Sequence, residues 1–181
     1  MTTTDRPADP AAEPRGDHES GAAQRRLAVY LQDHDGGAQA GVALIRRCHD
    51  SNRDTEFETD LADLAGEIDE DRQSLRTIME QLHVEPSRIK ELIGSAAELV
   101  SRVKTNGHLV RYSPSSRVVE LEALAAAVAT KRNLWRALAA AGPSAVPRAE
   151  LDRLIERATH QFERVLALHE RAAALAFATA G

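Results

Sequence analysis

The sequence predicts an all-α fold of four long helices arranged as a bundle. Three observations predict it: apolar residues recur at 4-3 spacing, capping and turn residues separate the periodic stretches, and no alternating run of strand length occurs. Composition excludes several function classes at once. The chain has 181 residues, a formal net charge of −5, one cysteine and six aromatic residues. A mildly acidic chain with few rings argues against nucleic acid as a partner, because phosphate contacts need a basic face and base stacking needs aromatics. Without a polybasic patch or an apolar run near ~20 residues, no membrane association is expected. With no apolar signal-peptide core and a single thiol, a soluble, cytoplasmic protein is expected.

Residues 1–22 hold three of the seven prolines and almost nothing large and apolar. Such a stretch cannot offset its ordering entropy, so it is expected to be a disordered tail ahead of a bundle domain at 23–181. The first helix is expected over about 23–50, with Leu27, Leu31, His34, Ala38, Gly41, Ile45 and Cys48 on one stripe. Gly36, Gly37 and Gly41 weaken it locally and allow either a close helix approach or a bend. After Ser51–Asp54, Thr55-Glu56-Phe57-Glu58 matches a capping box and opens the second helix, about 55–83. Its stripe is Phe57, Leu61, Leu64, Ile68, Asp71, Leu75, Ile78 and Leu82.

Pro86 suits the first turn of a shorter helix from Ser87 to Arg102. Lys104 to Ser116 is the least helical stretch, with a turn at Asn106-Gly107 and a small basic cluster of Lys104, His108 and Arg111. Ser113-Pro114 then reads as an N-cap and first-turn proline for the third helix, which ends near Ala140 ahead of Gly142-Pro143. Its stripe carries Leu121, Leu124, Val128, Lys131, Trp135 and Leu138. Pro147 starts the fourth helix, about 147–178, with Leu151, Ile155, Ala158, Phe162, Val165, His169 and Ala172 in the same rhythm.

Short connections make the first and second helices, and the third and fourth, antiparallel hairpins. The stretch from His83 to Ser115 is long enough to traverse the second helix, roughly 40 Å at 1.5 Å per residue. A traversing crossover makes the second and third helices parallel; a connector that folds back locally gives an up-down-up-down bundle with a fifth short helix. The crossover is the preferred expectation.

The chain resembles the ferritin-like superfamily, and more narrowly a group of bacterial proteins sharing its landmarks. These are Tyr30-Leu31-x-Asp33-His34, Glu67-Ile68-x-x-Asp71-Arg72, Lys104-x-Asn106-Gly107, Ser113-Pro114-x-Ser116 and Glu120-Leu121-Glu122. The resemblance covers about 27–178 and implies a four-helix bundle with a long crossover, but no activity. Di-iron members use carboxylates from all four helices plus two Glu-x-x-His motifs. Here Glu80-Gln81-Leu82-His83 has that spacing at a helix end, whereas Leu166 and Arg157 stand three residues before His169 and His160. The second motif is missing, so no metal ligands are assigned and the cofactor is left unknown.

Two polar residues, His34 and Asp71, occupy stripe positions that should be apolar. In a tight hairpin, Cys48 with Phe57, Gly41 with Leu64 and Leu27 with Ile78 have numbers summing to 105, and so do His34 and Asp71. They are therefore expected to touch. Under the crossover threading Lys131 and Gln161 reach the same level, and Glu67 flanks Asp71 by one turn, giving a candidate buried layer of His34, Glu67, Asp71, Lys131 and Gln161. Such a layer can fix register without chemistry, hold a ligand or divalent ion, or serve an acid–base reaction. The preferred function is a non-catalytic bundle binding a partner subunit or small ligand, with self-association through its alanine-rich helices. The alternative is a metal-dependent oxidoreductase or metal-binding protein with a degenerate ferritin-type site. Cys48 is expected to be a buried, inert thiol, and Trp135 a core or interface anchor whose indole N–H needs an acceptor.

Overall fold

A computed structural model describes residues 15–87 and 112–178. These residues form four helices and no strand: α1 (Arg15–Asp50), α2 (Glu58–Gln81), α3 (Pro114–Ala141) and α4 (Arg148–Phe177). Helix α1 begins at Arg15, directly after the third proline, so residues 15–22 of the expected tail are helical. Glu19 and Ser20 are exposed there, consistent with a stretch that has little apolar surface to bury. Residues 1–14, the expected helix at 87–102 beyond Ser87, and the basic cluster Lys104, His108 and Arg111 lie outside the described residues, as does most of the connector.

Local chemistry sets the helix ends. Ser113 is the N-cap of α3, its hydroxyl accepting from the Ser116 amide at 3.1 Å, with Pro114 in the first turn where no amide is needed. Gly142 ends the same helix at φ 59°, a left-handed conformation that costs glycine nothing. The capping box at α2 is displaced from its expected form. Thr55 Oγ1 accepts from the Phe57 amide at 3.2 Å, and the Glu58 carboxylate accepts from the Asp54 amide at 2.9 Å. Both groups still satisfy free amides, but the helix starts at Glu58, three residues later than the motif suggests.

Cross-helix pairs establish the threading. Asp35 with Arg76 (3.3 Å) and Arg46 with Asp69 (3.1 Å) make α1 and α2 antiparallel. Arg47 meets Glu120 at 3.0 Å, while Leu31 joins Leu134, Trp135 and Leu138, so α1 and α3 are antiparallel too. Consequently α2 and α3 run in the same direction, and the connector between them joins opposite ends of the bundle. Helix α4 is antiparallel to both: Arg148 reaches the Ala139 carbonyl at 3.4 Å, His169 meets Glu122 at 3.3 Å, and Arg171 meets Asp60 at 3.2 Å.

The apolar interior is divided in two along the bundle axis. One cluster gathers Ile45, Leu61, Leu64, Leu121, Leu124 and Val165; the other gathers Leu31, Leu75, Ile78, Leu134, Trp135 and Leu154. Between them, where the α2 stripe passes from Ile68 to Leu75 and the α3 stripe from Val128 to Leu134, lie Asp71, Lys131 and Gln161.

Candidate functional site

Helices α2, α3 and α4 each contribute one polar side chain at that level; on α4 the buried face runs through Leu154, Gln161 and Leu168, one residue before the expected Ile155, Phe162 and His169. Asp71 is 1% exposed and Gln161 0% exposed. Burial of such groups demands partners, because an unpaired carboxylate or amide away from water is costly. The partners form one network. Lys131 Nζ donates to Asp71 Oδ2 and, at 2.6 Å, to Gln161 Oε1. The Gln161 amide donates in turn to Glu67 Oε2 at 3.1 Å, and Arg164 pairs with Glu67 Oε1. Arg157 closes the other side, with one nitrogen on Asp71 Oδ1 in an ion pair outside hydrogen-bond alignment and another donating to Glu70 Oε2 at 3.0 Å. Burial pushes the Lys131 ammonium below its ordinary pKa, and the Asp71 carboxylate partly offsets this.

The structure thus brings Glu67, Asp71, Lys131 and Gln161 together and leaves His34 out. Among the described residues, no hydrogen bond or ion pair joins His34 to Asp71. His34 is half-buried and packs edge-on against Tyr30, with ring centroids 4.5 Å apart. The cause is register. A constant of 105 assumes that Cys48 faces Phe57 across a minimal turn, but residues 51–57 form a longer connection with two turns of its own. The observed pairs Asp35–Arg76 and Arg46–Asp69 sum to 111 and 115, so Asp71 faces α1 roughly two to three turns beyond His34. Burial pushes the imidazole below its ordinary pKa, with Asp33 partly opposing, so a proton on His34 is disfavoured.

What Asp71 faces on α1 is a stretch of small residues. A cavity of about 520 Å³ opens between α1, α2 and α3. Gly37, Ala38 and Gly41 form one wall and Ala126, Ala127 and Val128 another, with Ile68 and Leu75 on the α2 side. Among the described residues a Cβ built on Gly37 or Gly41 meets nothing within 4 Å, so these glycines serve no close approach between the described helices; they leave space. The polar lining is His34, Asp33, Asp71, Arg72, Thr130 and Lys131, joined by the indole of Trp135. A largely apolar concavity with a few convergent polar groups, in the roughly 300–1,000 Å³ range, is the usual form of a small-molecule site.

The donor set does not suit a di-iron centre. Both carboxylates of the layer already bind cations supplied by the chain, and among the described residues no group of three or more His, Cys, Asp or Glu side chains could hold a metal ion. His83 stands past the end of α2 at φ 54°, so the Glu80-x-x-His83 spacing does not form the helical pair that a metal would need.

A second polar cluster, which sequence reasoning missed, ties α1 to the start of α3. Asn52 is 1% exposed. Its amide donates to the Cys48 carbonyl and to the Tyr112 hydroxyl, both at 2.7 Å, and accepts from Arg117. The Tyr112 hydroxyl donates to Glu120 at 3.1 Å, and Arg47 pairs with the other Glu120 oxygen. Cys48 lies beside this cluster, 1% exposed, its thiol pKa pushed far up by burial and by Glu120. Only Glu120 beside the α3 stripe hinted at it; the remaining members come from helix ends that are distant in sequence. Among the described residues no helix is long and apolar enough to cross a membrane. No protein-family model, curated protein or solved structure matches the chain.

Proposed function

We propose that the chain is a non-catalytic, ferritin-like bundle that binds a small, mainly apolar ligand in the cavity between α1, α2 and α3. The parallel course of α2 and α3, with a connector joining opposite ends, supports the ferritin-like assignment. The observation that carries the ligand reading is the 520 Å³ space walled by Gly37, Gly41 and Ala127 beside an ion-paired polar layer. Catalysis has little to work with there. Asp71 is held by two cations and Lys131 by two acceptors, so neither offers a free lone pair for proton abstraction or attack.

The test uses a neutral apolar probe, N-phenyl-1-naphthylamine, whose fluorescence rises in a dry site. Saturable binding to the full chain is expected, and Gly41→Leu and Ala127→Leu, which fill the cavity from opposite walls, should each abolish it while the helical circular dichroism is retained. Undiminished probe binding in both folded variants, or no binding to the unsubstituted chain, overturns the proposal. Metal analysis after purification without chelator addresses the metal-dependent alternative: stoichiometric iron or manganese would favour it over an apolar ligand.

A further inference from the structure

The unsatisfied polar atoms of the cavity define the chemistry of what it holds. Asp71 Oδ2 accepts from Lys131, Asp71 Oδ1 lacks a hydrogen bond but is ion-paired with Arg157, and Lys131 and Gln161 satisfy each other, so the layer itself has little left to give a ligand. Two lining residues differ. Trp135 is 0% exposed, yet among the described residues its Nε1–H has no acceptor. The Arg72 Nε is likewise buried without an acceptor, and its guanidinium makes no ion pair among the described residues. Both unmatched groups are donors. A buried donor without a partner is rare in native proteins and calls for an explanation, such as an acceptor that arrives with a ligand.

Their placement suits a single head group. Parallel α2 and α3 place Asp71 beside Lys131, so Arg72 and Trp135 differ in height by about three residues, roughly 4.5 Å. A guanidinium presents a planar fork that matches a carboxylate, and an indole N–H adds one further donor. The cationic side chains on the lining are Arg72 and Lys131; the anionic ones are the committed Asp71 and the solvent-exposed Asp33. Beyond these groups the walls are glycine, alanine and branched aliphatic side chains, which offer an apolar tail nothing but contact area.

We infer that the ligand is an apolar monocarboxylate, its carboxylate bound by Arg72 and Trp135 and its tail between the small-residue walls of α1 and α3. This rests on the cavity being a ligand site. Trp135 is the sole tryptophan, so it reports its own occupancy. Decanoate, decanol and decylammonium are titrated at neutral pH, reading tryptophan emission and the single indole ¹H–¹⁵N signal. Decanoate should bind about tenfold or more tighter than the other two and move the indole proton downfield, as acceptance by a charged oxygen requires. Arg72→Met should bring decanoate down to the affinity of decanol and leave decanol unchanged. If decanol equals decanoate in the unsubstituted chain, or the indole signal stays put at saturation, the carboxylate assignment fails while the cavity remains a ligand site. If none of the three binds, and filling the cavity by Gly41→Leu changes nothing, the ligand reading fails with it.

Discussion

Removing the carboxylate of Asp71 is the most informative perturbation of the bundle. Asp71 is 1% exposed, and its partners are themselves largely shielded, the Lys131 and Arg157 side chains being 15% and 20% exposed. Breaking a buried ion pair by deleting one partner costs about 3–5 kcal/mol, because the remaining charge is stranded. Lys131 keeps its 2.6 Å bond to Gln161, and Arg157 keeps Glu70 and a route to solvent, so Asp71→Leu belongs near the low end, about 3 kcal/mol. For a chain of this size that lowers Tm by about 6–12 °C. Replacing the pair together, Asp71→Leu with Lys131→Met, removes both desolvation penalties and should return stability to within about 1 kcal/mol of the starting protein. Urea unfolding of the two single variants and the double variant yields a coupling energy, expected at about 2 kcal/mol or more for groups in contact. A single variant within about 0.5 kcal/mol of the parent, or a double variant as unstable as the sum of the singles, would refute the claim that this pair is dry and mutually dependent.

Three further outcomes follow from the geometry. Gly41→Ala should raise stability by about 0.5–1 kcal/mol, since a Cβ there meets nothing within 4 Å, whereas Gly142→Ala should lower it by about 1 kcal/mol because φ is 59°; paired urea midpoints check both. His34 has a folded pKa below its unfolded value, so the unfolded chain takes up more protons as pH falls through the unfolded pKa. Stability should therefore decline from pH 7.5 to pH 5.5, and His34→Gln should flatten that decline; an unchanged slope in the variant would show that His34 titrates alike in both states. Cys48, 1% exposed with its thiol pKa pushed far up, should resist a disulfide reagent in native protein and react fully in denaturant.

The stripes and caps were legible because they are local. Ser113-Pro114 and Gly142 mark α3 to within a residue, and most of the expected stripe positions join the two apolar clusters, whereas the α4 face is buried through Leu154 and Leu168 rather than the expected Ile155 and His169. Placing Lys131 and Gln161 level with Asp71 needed only a direction for α3, which the length of the connector supplied. The missed contact was axial. Periodicity states which face of a helix is buried, but the offset between two helices depends on how many residues the turn consumes, and Asn52, Thr55 and Phe57 consume more than a minimal hairpin. A shift of roughly two to three turns, about 9–15 Å at 1.5 Å per residue, separated His34 from Asp71 and put the small residues of α1 opposite it instead. The Asn52–Tyr112–Glu120 cluster was illegible for a related reason: its members are ends of different helices, and no spacing rule connects them.

That same shift turns the small residues of α1 into an argument about function. Glycine in a helix interior sacrifices about 0.5–1 kcal/mol against alanine, and a folded chain tolerates this where a neighbouring backbone comes close. Around Gly37 and Gly41 nothing comes close among the described residues. The adjoining walls add Ala38, Ala126 and Ala127, so the space is widened from two helices at once, and the buried donors of Arg72 and Trp135 are left without acceptors beside it. Each departure disfavours the unliganded fold, through helix propensity, missing packing contacts and unmatched hydrogen bonds respectively. None is compensated within the described residues. Sites where local rules are broken without local gain are where function is expected, and here a single kind of occupant, apolar with one acceptor head, relieves the packing and hydrogen-bond defects together. Filling the space should consequently move stability and binding in opposite directions: Gly41→Leu makes the chain harder to unfold and unable to take up the probe. A substitution that lowered both would instead mean that the glycine serves the fold.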